Sequence, residues 1–237
     1  MATQRLNLIA PSGRRVDVDL PAAPAVSSIA ALVRFVGGSY GTGFQIGPRG
    51  YHDFACTYVA PATQRERILV HGREVIIAEA NDKESSMATL IGTYHELMTV
   101  FAGPAPRRDW VLALFSALQI EDHVDGMVVK PQAATLLDAA VENIVVVVRD
   151  RGAVSIPGPS QALALVPKHA GARTEHGEVW KTSQGEVGSS VATAAQGYIL
   201  GCPAGLAEVH LDGTNAATQS ELLGWMNEIN IAWRAAA

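Results

Sequence analysis

The residues of this chain best suited to chemistry are one cysteine and three histidines in its C-terminal half. Cys202 lies in the segment Leu-Gly-Cys-Pro-Ala-Gly, directly after a predicted strand. A cysteine at a strand end acts as a nucleophile when a histidine removes its proton and backbone amides stabilise the oxyanion. His169, His176 and His210 are the histidines available for that role. This combination defines an alternative function, a cysteine-dependent hydrolase or transferase.

Both cysteines also have a simpler interpretation as small core residues. None of the local signatures of cysteine proteases surrounds Cys202, and a free cysteine commonly packs as a small buried residue. Cys56 alternates with Phe54 and Tyr58, which is typical of the inward face of a strand. Two cysteines form one disulfide at most, and the sequence leaves open whether they meet. We favour a structural role for both, so no catalytic residue is predicted.

A second candidate for chemistry is the stretch of residues 37–50, which contains six glycines. Glycines let backbone amides approach an anion closely, which makes Gly41, Gly43 and Gly47 candidate ligand-loop residues. Their spacing is not that of a dinucleotide-binding loop, and no Lys-Ser or Lys-Thr pair follows them. We therefore interpret 37–50 as a long flexible loop, with a small-ligand site as the alternative.

Histidines beside carboxylates form a third group of candidates. His123 lies within the acidic run 121–125, and His169 and His176 lie close to Glu175. Neither a His-Glu-x-x-His motif nor paired cysteines accompany them, and adjacent residues rarely converge on one point. The sequence therefore predicts no metal site and no cofactor, and 121–125 is interpreted as a solvated turn.

Composition and charge exclude some classes of partner. The formal net charge is -5, and the arginines occur as scattered pairs, so binding to nucleic acid is not expected. No apolar run approaches the roughly 20 residues that a membrane-spanning helix needs, and no signal peptide is evident. We expect a cytoplasmic protein whose partners are itself and other protein subunits, with a final location in a particle left open.

Two segments predict antiparallel hairpins. Residues 144–148 are five consecutive β-branched residues, the composition of a buried central strand, and 153–156 resume after a charged turn. Residues 5–20 alternate apolar and polar side chains around a Pro-Ser-Gly turn, with Leu6 and Leu8 before the turn and Val16 and Val18 after it. We expect residues 1–20 to form a hairpin arm able to add to a neighbour's sheet.

The remaining segments predict a mixture of helices and strands. A hairpin over 65–80 and strands over 51–59, 126–130, 178–182, 198–200 and 206–211 follow from alternation and β-branched content. Helical spacing of apolar residues predicts helices over 26–36, 85–101, 109–120, 133–142 and 160–166.

The last 22 residues, 216–237, predict an amphipathic helix. Thr218 and Glu221 have the spacing of a capping box. Trp225, Ile229 and Trp233 recur at helical spacing after it and form an apolar stripe. One apolar face needs only the core to explain it, and a partner is the alternative for this stripe.

The predicted fold class is α+β, with a mainly antiparallel sheet built from hairpins and helices packed on it, in one large domain spanning 1–237. The order of hairpin, helix and short strand also resembles the α/β/α sandwich of the Mog1 and PsbP-like group, which implies an alternative fold and no function. With no recognisable active site, we expect a non-enzymatic structural or interaction subunit that self-associates within a larger assembly, such as a bacterial or phage-type particle. Its expected interface residues are Leu6, Leu8, Val16, Val18, Trp225, Ile229 and Trp233.

Overall fold

The computed structural model describes residues 2–37, 40–132, 139–182, 196–211 and 218–234. These residues form two compact units whose segments alternate along the chain. Unit 1 contains 1–8, 14–29 and 143–237, and unit 2 contains 9–13 and 30–142, so no single cut in the sequence separates the two. The prediction of one large domain stays a prediction.

The described residues of unit 1 form two antiparallel sheets and two helices. Its strand orders are β1-β2-β17 and β13-β14-β15-β16-β12-β11-β3, where β3 and β11 also have residues in unit 2. The elements are β1 (Thr3–Ile9), β2 (Arg15–Pro21), β3 (Val26–Gly37), β11 (Ala139–Val148), β12 (Gly152–Pro157), α3 (Pro159–Leu165), β13 (Ala172–Thr174), β14 (Gly177–Thr182), β15 (Gln196–Cys202), β16 (Gly205–Leu211), α4 (Gln219–Asn227) and β17 (Asn230–Trp233).

In the part of unit 2 that the structure describes, a sheet with the strand order β3-β4-β8-β7-β6-β5 is accompanied by a separate hairpin and two short helical segments. The first helical segment joins α1 to a π-helical turn, which runs from Ala55 to Val59. The elements are β4 (Tyr40–Pro48), α1 (Tyr51–Phe54), β5 (Ala62–Val70), β6 (Arg73–Ala80), β7 (Ser85–Ile91), β8 (His95–Ala102), α2 (Arg108–Ser116), β9 (Leu118–His123) and β10 (Gly126–Pro131).

Three predicted hairpins are confirmed. The β-branched run 144–148 lies in β11 and pairs with β12, with Val146 opposite Val154. The predicted hairpin over 65–80 is β5–β6, and its turn residues His71 and Gly72 both have positive φ, 48° and 77°. Positive φ at both turn positions matches the twist of the two strands, which is why such a turn joins them. The N-terminal hairpin is β1–β2.

One face of the unit 2 sheet packs against α2 and the β9–β10 hairpin. Phe44 of β4 lies between Phe35 and Phe115, with ring centroids 6.1 and 6.0 Å apart, and all three are buried. Such edge-to-face ring pairs add about 0.5–1.5 kcal/mol each to the hydrophobic burial. The side chains on this face form the larger hydrophobic core of the unit.

The opposite face of the same sheet is covered by the helical segment 51–59. Ala55 packs there on Ala78, Met87 and Met98, which alternate with the residues of the first face. The start of the segment is fixed by the buried Glu96, whose carboxylate accepts hydrogen bonds from the backbone N–H groups of Gly50 and His52 at 2.9 and 2.7 Å. A charged acceptor on the unpaired amides of a helix start stabilises it, so Glu96 anchors the segment to β8.

Several predicted elements are wrong, and the error over 85–101 has a clear physical cause. Residues 26–36 and 85–101 are strands rather than helices, and 139–142 begin β11. Residues 86–90 of β7 and 96–99 of β8 are buried without alternation. Strands covered on both faces carry apolar residues at nearly every position. Such a run always contains some apolar residues at helical spacing, so it can be mistaken for a helix. Residues 133–138 of the predicted helix over 133–142 lie outside the described residues.

The glycine-rich stretch is also not a loop. Residues 40–48 form β4, which pairs with β3 and β8, although residues 38–39 lie outside the description. The predicted strand over 51–59 is instead the helical segment, because His52, Ala55 and Cys56 face the sheet at helical spacing. A glycine within a strand can mark a position where another group approaches the backbone closely, so a glycine-rich stretch does not by itself indicate a loop.

The C-terminal helix is shorter than predicted. The capping box of Thr218 and Glu221 is present, but α4 ends at Asn227 and residues 230–233 form β17. Five of the seven expected interface residues are buried inside the chain: Leu8, Val16, Val18, Trp225 and Ile229. Leu6 and Trp233 are partly exposed. Any self-association surface must therefore be built mainly from other residues.

The predicted arm of residues 1–20 is anchored at its turn. Ser12 donates hydrogen bonds to the buried Glu142 from its backbone N–H and its hydroxyl, both at 2.8 Å. On β2, Asp17 accepts two hydrogen bonds from Arg234, at 2.7 and 2.8 Å. These contacts make the hairpin part of the folded chain.

The coarse class α+β is confirmed, with a large antiparallel sheet and few helices. The four described α-helices have four to nine residues each, so the described residues lack the helix layers of an α/β/α sandwich. None of them is long and apolar enough to cross a membrane.

Candidate functional site

An apolar cleft of about 500 Å³ opens in unit 1 between α3, β14, the turn from β15 to β16, and the end of β17. Its walls are aliphatic and aromatic, and the residues that matter most for its shape are Leu163, Val166, Trp180, Leu206 and Trp233. A concave apolar site of this size lies within the range of volumes that bind small ligands or the side chains of a partner.

Trp180 forms a fixed wall of the cleft. Its indole N–H donates a hydrogen bond to the carbonyl of His169 at 2.8 Å. A β-carbon at Gly171 would lie 2.8 Å from the ring and one at Gly201 would lie 3.0 Å from it. A larger residue at Gly171 would force the ring or the backbone to move, and one at Gly201 would press on the ring, so the two glycines make room for the Trp180 wall.

The base of the cleft depends on a third glycine. Gly205 begins β16, and a β-carbon there would lie 2.7 Å from the side chain and the carbonyl of Ile231. This close approach lets the Trp233 backbone N–H reach the carbonyl of Ala204 at 2.9 Å. The indole N–H of Trp233 has no hydrogen-bond partner among the described residues, although the atom is buried. A buried donor without a partner is rare in folded proteins.

The rim of the cleft is also apolar. Leu163 and Val166, at the end of α3, are 79% and 46% exposed. Single exposed apolar residues need no explanation, but two beside an apolar cleft extend its surface into solvent. The carboxylate of Glu178, which also lines the cleft, accepts a hydrogen bond from the Gly171 backbone N–H at 2.9 Å and thereby supports the Trp180 wall.

Cys202 lines the cleft, but the structure does not activate it. Its thiol donates to the carbonyl of Ile229 at 3.8 Å, and burial raises the pKa of the thiol. A nucleophilic cysteine needs the opposite shift, produced by a base or a positive charge. The three candidate histidines are not among its described contacts.

The positions of those histidines follow from the strand register. Cys202 pairs with Gly205, whereas His210 pairs with Gly197, five positions along the strand and roughly 17 Å away. The backbone carbonyl of His169 accepts the hydrogen bond from the Trp180 indole. The hydrogen bond from Arg5 is the main cause of the lowered pKa of the Asp19 carboxyl, and His176 makes a smaller electrostatic contribution, which places His176 near Asp19.

A second exposed apolar surface lies on the helical segment 51–59 of unit 2. Phe54 and Tyr58 are 52% and 76% exposed, with ring centroids 5.4 Å apart, and the neighbouring Val59 is 69% exposed. We call these three residues the aromatic patch. They project from the sheet because the inward positions of the segment are occupied by smaller or polar side chains.

Beneath the patch, Cys56 lies in a cluster of soft donor atoms. Its sulfur is 3.6 Å from Nε2 of His52 and 3.5 Å from the sulfur of Met87. The other ring nitrogen of His52, Nδ1, is 3.0 Å from the hydroxyl of Thr89. Burial raises the pKa of the Cys56 thiol and lowers the pKa of His52.

The candidate ligand-loop residues do not form a cradle. Gly43 and Gly47 lie within β4, and the ring of Tyr51 covers Gly47, where any β-carbon would overlap it. Gly41 pairs with Val36 in the same hairpin. These glycines therefore serve strand pairing and the packing of the helical segment.

The acidic run 121–125 contributes to structure. Asp122 accepts a hydrogen bond from the backbone N–H of Tyr94 at 2.8 Å and contacts Nδ1 of His95 at 2.9 Å, which fixes the turn between β7 and β8. Nε2 of His123 lies 3.6 Å from a carboxylate oxygen of Glu121, and both side chains are exposed. Groups of three or more His, Cys, Asp or Glu side chains suited to a metal do not occur in the described part of the chain.

Comparisons with protein-family models, with curated proteins and with solved structures find no match to this chain. Its function therefore has to be argued from the geometry of the cleft and the patch.

Sequence reasoning missed both surfaces. The cleft is built from α3, β14, β15, β16 and β17, and no local pattern brings those elements together. The patch was hidden by the interpretation of 51–59 as a strand, although the spacing of His52, Ala55 and Cys56 is a usable helical signal.

Proposed function

We propose that this protein is a non-enzymatic subunit that self-associates by placing the aromatic patch of one copy in the apolar cleft of the next. The observation that carries the proposal is the cleft, an apolar concavity with an apolar rim and no activated nucleophile. The occupant we infer is a second copy, because the same chain exposes a convex aromatic surface that its own fold leaves uncovered.

The chemistry of the two surfaces is complementary. Phe54 and Tyr58 are in contact with each other, so they can enter a cleft together without reordering first. Rigid aromatic side chains that fill an apolar pocket are the usual anchors of protein interfaces, and fully burying such a side chain contributes about 1.5–3 kcal/mol. The unpartnered Trp233 N–H and the Tyr58 hydroxyl offer one polar contact within this apolar interface.

The symmetry of such an assembly follows from the chemistry of its contact. The patch and the cleft are different surfaces, so the contact is heterologous and each copy uses both. A heterologous contact produces a ring if its rotation closes and a filament if it does not. Both forms suit a repeating structural component of a larger particle.

Native mass spectrometry over a concentration series tests the proposal. We expect oligomers larger than a dimer in the unmodified chain, and a shift towards monomer in Phe54→Ser and in Leu163→Ser, since each removes an apolar contact from one side of the interface. The loss should be at least about tenfold in association constant, the effect expected of a central interface residue.

Val124→Ser is the matched control for these variants. Val124 is 77% exposed in unit 2, outside the patch, so its replacement should leave the oligomer distribution unchanged. A monomeric unmodified chain at every concentration contradicts the proposal. So does an oligomer that responds equally to all three substitutions, because that result indicates nonspecific hydrophobic association.

Other occupants of the cleft give different results in the same experiment. A small apolar ligand would raise the thermal unfolding temperature and leave the chain monomeric. The cysteine-dependent enzyme considered from the sequence would require rapid alkylation of Cys202 in the folded chain.

A further inference from the structure

We propose that His52, Cys56 and Met87 form a binding site for a soft monovalent metal ion, copper(I), beneath the helical segment 51–59. One imidazole nitrogen, one thiolate and one thioether are the donors that copper(I) prefers, whereas magnesium, calcium and manganese prefer oxygen. Sequence analysis found no metal site because Met87 is 31 residues from Cys56 and belongs to no linear motif. This inference is independent of the proposed self-association.

The two separations from the Cys56 sulfur suit a single ion. With bond lengths near those of zinc, about 2.3 Å to sulfur and 2.0 Å to nitrogen, a trigonal site places sulfur and nitrogen about 3.7 Å apart and two sulfurs about 4.0 Å apart. The Cys56 sulfur lies 3.6 Å from His52 Nε2 and 3.5 Å from the Met87 sulfur. The remaining half ångström is a displacement that the unbranched Met87 side chain can accommodate.

The fold brings these residues together through matched spacings. His52 and Cys56 are four residues apart in a helical segment, a rise of about 6 Å. They lie over Thr89 and Met87, which are two residues apart on one face of β7 and separated by about 6.6 Å. The helical segment and the strand therefore present two side chains each at nearly the same interval.

The surroundings orient the histidine. Its Nδ1 contacts the Thr89 hydroxyl at 3.0 Å, which leaves Nε2, the nitrogen nearer to the Cys56 sulfur, as the metal ligand. The backbone N–H of His52 donates a hydrogen bond to the buried Glu96 at 2.7 Å, so both the backbone and the ring of this residue are held in place. Partners of this kind fix the ring orientation in metal sites and change metal affinity by 10–100-fold.

Binding is a simple exchange at sulfur. The S–H bond of Cys56 breaks, a sulfur–copper bond forms, and the proton leaves to solvent, with no change in oxidation state. His52 is buried, while Cys56 is partly exposed and gives the ion a route to the site. Zinc is a poorer fit, because its structural sites use four nitrogen, oxygen or thiolate ligands and no thioether.

The test is anaerobic titration of the purified full-length chain with copper(I), in competition with a coloured copper(I) chelator. We expect one copper(I) per chain at this site in the Cys202→Ala background, which removes the other thiol. X-ray absorption should show two sulfur ligands and one nitrogen ligand per copper.

Variants then assign the ligands. Met87→Leu keeps the size and burial of the side chain but removes the thioether, and we expect at least about tenfold weaker binding. Met98→Leu is the matched control, because Met98 is buried on the same face of the sheet and is not within the donor cluster. His52→Gln and Cys56→Ser should each abolish the one-to-one complex, while circular dichroism checks that the variants are folded.

Three results overturn the proposal. They are an absence of competitive copper(I) binding by the Cys202→Ala chain, equal affinity of the Met87→Leu and unmodified chains, and binding that Met98→Leu weakens as much as Met87→Leu. The last result indicates that core packing, rather than the thioether of Met87, controls the affinity.

Discussion

The two exposed apolar surfaces of this chain have opposite shapes, and small residues produce both. In unit 1, Gly171, Gly201 and Gly205 stand where a β-carbon would meet Trp180 or Ile231, so neighbouring groups approach closely around a concave cleft. In unit 2, Ala55 and Cys56 face the sheet, and the larger Phe54 and Tyr58 project outward. In both units, the positions of small residues determine where large apolar groups collect.

The largest predicted difference is between the losses of unfolding free energy on replacing a core aromatic residue and on replacing an aromatic residue of the patch. Phe115→Ala should lower the free energy of unfolding by about 3–5 kcal/mol, because Phe115 is fully buried against Phe44. Phe54→Ala should change it by less than about 0.5 kcal/mol, since Phe54 is half exposed. Urea denaturation at a low protein concentration that favours monomers measures both values. Similar losses in the two variants would show that the patch is part of the core.

The next effect tests the glycine origin of the cleft. Gly171→Ala should destabilise unit 1 by about 1–3 kcal/mol, because its β-carbon meets Trp180 at 2.8 Å and the Val179 carbonyl at 2.7 Å. Gly224→Ala is the control: nothing lies within 4 Å of its β-carbon and it is inside α4, so stability should rise by about 0.5–1 kcal/mol. Tryptophan fluorescence during denaturation reports both. Equal effects of the two substitutions contradict the assigned role of Gly171.

A third substitution tests how the patch is supported. Glu96→Gln replaces an acceptor-only carboxylate by an amide whose NH₂ group faces a backbone N–H, so about 1–3 kcal/mol of stability should be lost. Amide hydrogen exchange at Gly50 and His52 should accelerate more than exchange in β6. Glu74→Gln, at a partly exposed ion pair with Arg67, is the control and should cost less than about 1 kcal/mol. Uniform acceleration across unit 2 would contradict local anchoring.

The smallest effect concerns the cysteine in the cleft. Because burial raises the pKa of the Cys202 thiol, its thiolate fraction at pH 7 is below that of an ordinary cysteine. Iodoacetamide should therefore modify it more slowly than a cysteine in the denatured chain, with a rate that rises as the pH increases towards the raised pKa. Mass spectrometry of the folded Cys56→Ala variant follows the reaction. Faster modification in the folded than in the denatured chain would restore the enzyme alternative.

Local sequence signals predict the hairpins and the start of the last helix well. The β-branched run 144–148 and the His71-Gly72 turn specify their hairpins within a few residues, and Thr218 with Glu221 specifies the start of α4. These signals succeed because turn geometry and capping depend on neighbouring residues only.

The errors arise where tertiary packing decides the structure. Residues 86–90 and 96–99 are buried on both faces, which removes the alternation that identifies a strand. The segment 51–59 has β-preferring residues, yet Glu96 binds the amides at its start, and that partner is 44 residues away from His52. The cleft and the donor cluster depend on such distant contacts, which a single sequence does not reveal.

Photo-crosslinking between copies is the most direct test of self-association through the aromatic patch and the apolar cleft. A benzophenone side chain at position 58 replaces Tyr58 in nitrogen-15-labelled chains, which are mixed with unlabelled, unmodified chains before illumination. If the patch of one copy enters the cleft of the next, crosslinks form from position 58 of labelled chains to cleft residues of unlabelled chains, such as Leu163, Val166 and Trp233. Crosslinks confined to single chains, or directed to surfaces outside the cleft, would contradict it.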